Sequence, residues 1–116
     1  MQKVYRLTNS ASFNYIYRHG ERTATSLFQL SYVKAHNVKL GVSVSKKVGN
    51  SVIRSRVKRL VKENFRSLIP YLPDGYNYVV SAKEAMKDAD YYAVRKALIS
   101  ALVRAGHLEK RVEGTL

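Results

Sequence analysis

The sequence contains no cysteine, no tryptophan, two prolines and only eight carboxylate side chains among 116 residues. Without cysteine, a disulfide scaffold and a thiolate zinc site are both excluded, and a reducing compartment fits. No apolar run approaches the length of about 20 residues that a membrane-spanning helix needs, so no membrane partner is expected. The stretch Met1-Gln2-Lys3-Val4-Tyr5-Arg6 lacks the apolar core of a secretion signal. Pro70 and Pro73 fall together in Pro70-Tyr71-Leu72-Pro73-Asp74-Gly75, a turn too short to separate domains. There is no repeat, low-complexity tract or Ser/Gly linker. A chain shorter than about 150 residues is expected to form one domain, here 1–116 with a tail that frays from about residue 107.

The shortage of acid also bears on chemistry. Before residue 67 the only carboxylates are Glu21 and Glu63, and Asp74, Asp88 and Asp90 fall at turns and helix starts. Metal-assisted phosphodiester cleavage by the protein alone would need clustered carboxylates, so a self-contained nuclease is disfavoured. His19, His36 and His107 have no metal-ligand spacing, and no Gly-x-x-x-x-Gly-Lys phosphate loop is present.

What the chain does have is positive charge. Its 21 Lys and Arg give a formal net charge of +13. Residues 1–38 carry net +4, residues 39–66 net +8 and residues 67–116 net +1. Self-repulsion of this size costs stability and points to a polyanionic partner. That partner should dock on the middle of the chain.

Periodicity gives a coarse element order. A helix is predicted over about 10–19, with Thr8, Asn9 or Ser10 as cap, Gly20 as the residue after its end, and Phe13, Ile16 and Tyr17 on one face. Strands are predicted over 27–33 and 38–45. In the second, Val38, Leu40, Val42 and Val44 alternate with Lys39, Gly41, Ser43 and Ser45, leaving a small, polar and open face. A long helix over about 51–68 carries the stripe Ile53, Val57, Leu60, Val61, Phe65 and Leu68. A strand over 76–81 and a helix over about 90–105, capped by Asp88 or Asp90 and ended by Gly106, complete an α-β-β-α-β-α order.

The segment Lys46 to Arg66 concentrates the surplus cations. At about 100° per residue, Lys58, Lys62, Arg66 and Arg59 lie opposite the apolar stripe with Ser55 among them, and Arg54 and Arg56 flank it. Free N–H groups and the positive dipole end at the helix start adjoin Lys46 and Lys47. A merely solvated helix face would alternate signs, whereas this one has a single sign. The nine Tyr and three Phe add rings suited to stacking on unpaired bases. Phe13 and Tyr17, one turn apart, could serve that role or simply pack the helix on the sheet.

The motif Ser45-Lys46-Lys47-Val48-Gly49-Asn50, followed by Arg54-Ser55-Arg56-Val57-Lys58-Arg59, resembles the signature of the bacterial ribonuclease P protein subunit. That family pattern is Ser-Lys-Lys-x-Gly-Asn-x-x-x-Arg-Asn-Arg-x-Lys-Arg. Ser55 replaces its central Asn, keeping a hydrogen-bonding oxygen but losing the amide donor and the reach. Arg6-Leu7, Phe13, Tyr17, His19-Gly20 and the strand Gly41 to Ser45 extend the resemblance, which covers about residues 6–105. It implies an α+β fold, a two-layer α/β sandwich similar to a ribosomal-protein domain with a left-handed βαβ crossover, against the usual right-handed rule. It implies a cytoplasmic bacterial protein whose partner, the ribonuclease P RNA, is the catalyst and binds Mg²⁺. The holoenzyme removes the 5′ leader of precursor tRNA. The resemblance places that RNA on Lys46, Lys47, Asn50, Arg54, Ser55, Arg56, Lys58, Arg59, Lys62 and Arg66. It places the leader in a cleft between the first helix and the open sheet face, lined by Phe13, Tyr17, Tyr32, Ser43 and Ser45. Whether Tyr32 or Ser31 faces that cleft depends on a single residue of register. The competing function is a general RNA-binding or ribosomal protein with no role in cleavage.

Overall fold

A computed structural model describes residues 5–110 of the chain. Helix α1 spans Ser10–His19, and the Asn9 side chain caps it by accepting from the Ala11 amide at 2.8 Å. Gly20 follows the end of α1, as expected, with an ordinary extended φ of −80°. Strand β1, Glu21–Ala24, follows at once. Its residues are polar and mostly exposed, with no apolar alternation to mark a strand; pairing with the next strand makes it one. The turn into that strand is held by Thr25, whose hydroxyl accepts from the Leu27 and Phe28 amides, each at 3.1 Å.

Strands β2 (Phe28–Lys34) and β3 (Lys39–Ser43) lead into α2 (Ser51–Leu68). The proline turn contains a short 3₁₀ helix over Ile69–Tyr71 before β4 (Tyr76–Ala82). A second 3₁₀ helix, Glu84–Asp88, precedes α3 (Tyr91–Arg104), capped by Asp90, which accepts from the Ala93 amide at 2.8 Å.

The sheet order is β1-β2-β4-β3, with β2 antiparallel and β3 parallel to β4. The unit β3-α2-β4 is therefore a parallel crossover. Alternation along the strands then divides the chain between two faces. Phe28, Leu30, Tyr32, Leu40, Tyr78 and Val80 pack with α2 and α3 in the main core. Val79 points the other way and meets Ile16, Leu7, Phe13, Tyr17 and Val33 in a smaller cluster beneath α1. The sandwich thus gains a partial third layer from a single helix. Gly41 lets α1 approach closely, because a Cβ there would stand 2.3 Å from Cζ of Phe13.

Of the tail expected to fray from about residue 107, residues 107–110 are described and 111–116 lie outside the described residues. Leu108 is buried, and His107 sits among Tyr32, Tyr76 and Tyr78, with ring centroids 4.9, 4.2 and 5.5 Å away. Tyr78 Oη lies 2.7 Å from His107 Nδ1. Burial pushes the Tyr78 hydroxyl well above its ordinary range, so it keeps its proton. Burial also lowers the His107 pKa, a shift that Glu21 partly opposes.

Two predictions follow from this packing. Gly41→Ala should lower stability by about 1–3 kcal/mol through overpacking against Phe13; an unchanged denaturant midpoint would place α1 elsewhere. Folding stability should also fall as pH drops below the ordinary histidine value of about 6.5, since the unfolded chain takes up the proton first. His107→Gln should flatten that dependence in pH-resolved denaturation, and an unaltered slope would remove His107 as its source.

Candidate nucleic-acid interface

The junction between β3 and α2 is a tight loop held from inside. Val48 is buried at 2% exposure, and its amide donates to the Ser45 carbonyl at 3.1 Å. That turn leaves Lys46 and Lys47 exposed. Gly49 lies against the first turn of α2, where a Cβ would meet Ile53 Cγ2 at 2.7 Å. Asn50 is the helix cap: its side-chain oxygen accepts from the Ile53 amide at 3.0 Å. The side chain assigned from the motif to RNA is thus engaged, through its oxygen, in starting the helix.

Along α2 the cations divide by environment. Lys58, Arg59 and Arg66 are exposed, together with Ser55, while Lys62 and Arg54 are half-buried. Ser55, Lys58, Arg59, Lys62 and Glu63 line an open groove of about 370 Å³. Burial, then the charges of Arg6 and Lys58, hold Lys62 below the usual lysine value. Among the described residues, none of these α2 cations is within ion-pair distance of a carboxylate.

Arg56 differs from its neighbours in having partners inside the protein. Its guanidinium donates to the Ala89 carbonyl at 3.3 Å and to the Lys87 carbonyl, where the 3₁₀ helix ends before α3. It flanks the apolar stripe, so it reaches sideways to the next element while still lining an open groove with Ser55 and Arg59. Sequence reasoning also missed Asn64, fully buried in the stripe, whose amide donates to the Leu60 and Tyr91 carbonyls at 3.0 and 3.2 Å.

The second candidate surface lies on the α1 side of the sheet. Cross-strand register aligns Ala24, Gln29, Ser81 and Ser43 in one row. The adjoining row, Arg22, Ser31, Val79 and Gly41, runs toward α1. Tyr17 borders the first row, its hydroxyl 3.2 Å from Ser81 Oγ. Phe13 is half-buried over Gly41. Gln29, Ser81 and Ser43 remain half-exposed, forming a polar strip beside Tyr17.

Two residues assigned to the cleft are not on this strip. Tyr32 faces the main core, at 7% exposure, because it is in register with Tyr78; Ser31, paired with Val79, takes the α1 side. Ser45 lies past the end of β3, exposed in the turn. Gln29 and Ser81 were missed, although the alternation Asn77, Val79, Ser81 along β4 carried the signal for Ser81.

The described residues contain no group of three His, Asp or Glu placed to hold a metal. No helix is long and apolar enough to cross a membrane.

Residues 1–106 match the sequence profile of a family described as Ribonuclease P. The ribonuclease P protein component of Clostridium beijerinckii is 37% identical over 112 residues, covering 89% of this chain and 90% of its own. That of Clostridium botulinum strain Langeland is 42% identical over 107 residues, covering 90% and 96%. A solved structure of a Staphylococcus aureus RNase P protein mutant with defective mRNA degradation activity superposes with a TM-score of 0.84 at 31% identity, covering 91% of this chain and 92% of that one.

Arg56 and Arg59 should separate cleanly in experiment. Arg56→Ala should destabilise the fold by about 1–3 kcal/mol through two lost charge-assisted hydrogen bonds. Arg59→Ala should leave thermal unfolding unchanged and flatten the salt dependence of binding to a structured RNA by about one unit of slope. The reverse pattern would return Arg56 to the RNA surface and withdraw Arg59.

Proposed function

The chain belongs to the ribonuclease P protein family, and we propose that it serves as the protein subunit of a bacterial ribonuclease P in the cytoplasm. In this reading it binds the catalytic RNA and the 5′ leader of precursor tRNA, and it supports endonucleolytic removal of that leader. The observation that carries it is the cationic face of α2, where Glu63 is the helix's single acid and, among the described residues, no Lys or Arg of the helix is within ion-pair distance of a carboxylate, beside the exposed Lys46–Lys47 loop. Those cations neutralise phosphates on two RNAs that would otherwise repel each other.

The bond cleavage belongs to the RNA subunit and its Mg²⁺. The described protein residues do not form a fitting metal site, so no step is routed through them. The protein's share is approach and positioning. The polar strip Gln29–Ser81–Ser43 offers hydrogen bonds without base identity, and Tyr17 and Phe13 offer edges and faces for unpaired bases. Ser31, where an aromatic on this strand would face α1, adds no ring.

Reconstitution tests this directly. Purified protein should lower the Mg²⁺ needed by a bacterial ribonuclease P RNA to cleave precursor tRNA, and it should prefer that RNA over ribosomal RNA at matched salt. An unchanged Mg²⁺ requirement with equal affinity for both would favour a general RNA-binding protein. Tyr17→Ala should weaken leader-bearing substrate by about 1–3 kcal/mol and spare mature tRNA; equal loss on both would reduce Tyr17 to a packing residue.

A further inference from the structure

The N-terminal segment is attached to the open edge of β3, alongside α2. The Leu7 amide donates to the Leu40 carbonyl at 2.8 Å, and Arg6 and Leu40 form a parallel bridge. Leu7 is buried in the α1-side cluster, so its extended neighbour Arg6 is directed to the α2 side of the sheet. Tyr5 joins Arg66, Ile69 and Pro70 around a concavity of about 230 Å³ near the end of α2. The segment therefore runs beside the second half of the helix.

Arg6 has an enclosed Nε with no hydrogen-bond partner among the described residues. Its charge is felt at Lys62, as is that of Lys58, one turn earlier on the same helix face. The one nearby acid in the sequence, Glu63, is exposed and lies one turn from Arg59. Three cations from two separate elements thus lie on one side of the protein with no ion-pair partner among the described residues. Like charges one turn apart on a helix destabilise it, and no carboxylate among the described residues forms an ion pair with them. A buried donor without a partner is likewise unfavourable.

We propose that Arg6, Lys58 and Lys62 form a composite site for a backbone phosphate of the catalytic RNA, built jointly by the N-terminal strand and α2. The proposal rests on the function argued above and extends it to a segment outside the basic motif. Lys58 and Lys62 stand 8 and 12 residues beyond the Asn50 cap, roughly 12–18 Å along the helix axis. The site is therefore distinct from the loop at the start of α2, and the two would hold different phosphates. It lies on the α2 side of the sheet, whereas the polar strip proposed for the leader lies on the opposite side, next to α1. This position, continuous with Arg59 and Arg66, assigns it to the catalytic RNA.

The test measures binding of ribonuclease P RNA alone, without tRNA, across a salt series, with thermal melting of each free protein. Arg6→Gln and Lys62→Gln should each flatten the salt slope by about one unit, and Arg6→Lys should restore it. Lys62→Gln should melt no lower than the parent, because it relieves repulsion; it decides the matter if Arg6→Gln fails to fold. If both Gln variants keep the parent slope while Arg59→Gln loses one unit, the composite site is refuted and the functional reading stands. If Arg59→Gln also keeps the parent slope, the reading fails with it. Losses seen only when precursor tRNA is present would assign the cations to substrate and overturn the proposal.

Discussion

Everything in this fold depends on sealing one side of α2 against a parallel pair of strands. The helix carries six Lys and Arg and a single Glu, so its charge works against compact structure. Its other side is closed: Val57, Phe65 and Leu68 are fully buried, and Phe65 packs edge-on to Tyr78 at 5.3 Å between centroids. Burial of such side chains stabilises by about 1.5–3 kcal/mol each, enough to offset a cationic surface. The helix start is fixed by the Asn50 cap and the inward-facing Val48. Arg56 ties the same helix to the segment before α3. The cations are consequently displayed on a rigid support.

The sheet performs a second division of labour. Along β4, Tyr78 and Val80 enter the main core, while Val79 and Ser81 face α1. One helix covers only part of that second face, and the uncovered part is a polar row. A cationic helix face and a polar sheet face are thus set on different sides of one small domain. In the proposed function each face serves a different RNA.

The positions of the three helices were legible because each has a strong apolar period and a recognisable cap. The start of α2 was plain from Gly49-Asn50, and the end of α3 from Gly106, whose φ of +80° is left-handed. β1 was invisible because Glu21–Ala24 is strand only by pairing with β2. For the site, the helical wheel separated Lys58, Arg59 and Arg66 from the core, since exposure follows directly from angular position. It could not separate Arg56 from Arg54, because both flank the stripe and only the location of the Lys87 and Ala89 carbonyls decides which one is engaged. Tyr32 fell on the wrong face for a similar reason: a one-residue shift of register exchanges the two sides. Arg6 acquires its surroundings through a single bridge to Leu40, a contact no local pattern encodes.

The central claim is that the uncompensated cations of α2 and its loop grip RNA phosphates. It is tested most directly by the salt dependence of the unaltered protein's affinity for ribonuclease P RNA. With each neutralised phosphate contributing about 0.7–0.9 to the slope, the five cations Lys46, Lys47, Lys58, Arg59 and Arg66, all exposed, predict a log–log slope of about −3.5 or steeper. A slope near zero would contradict the account, because the contact would then not be made by these charges.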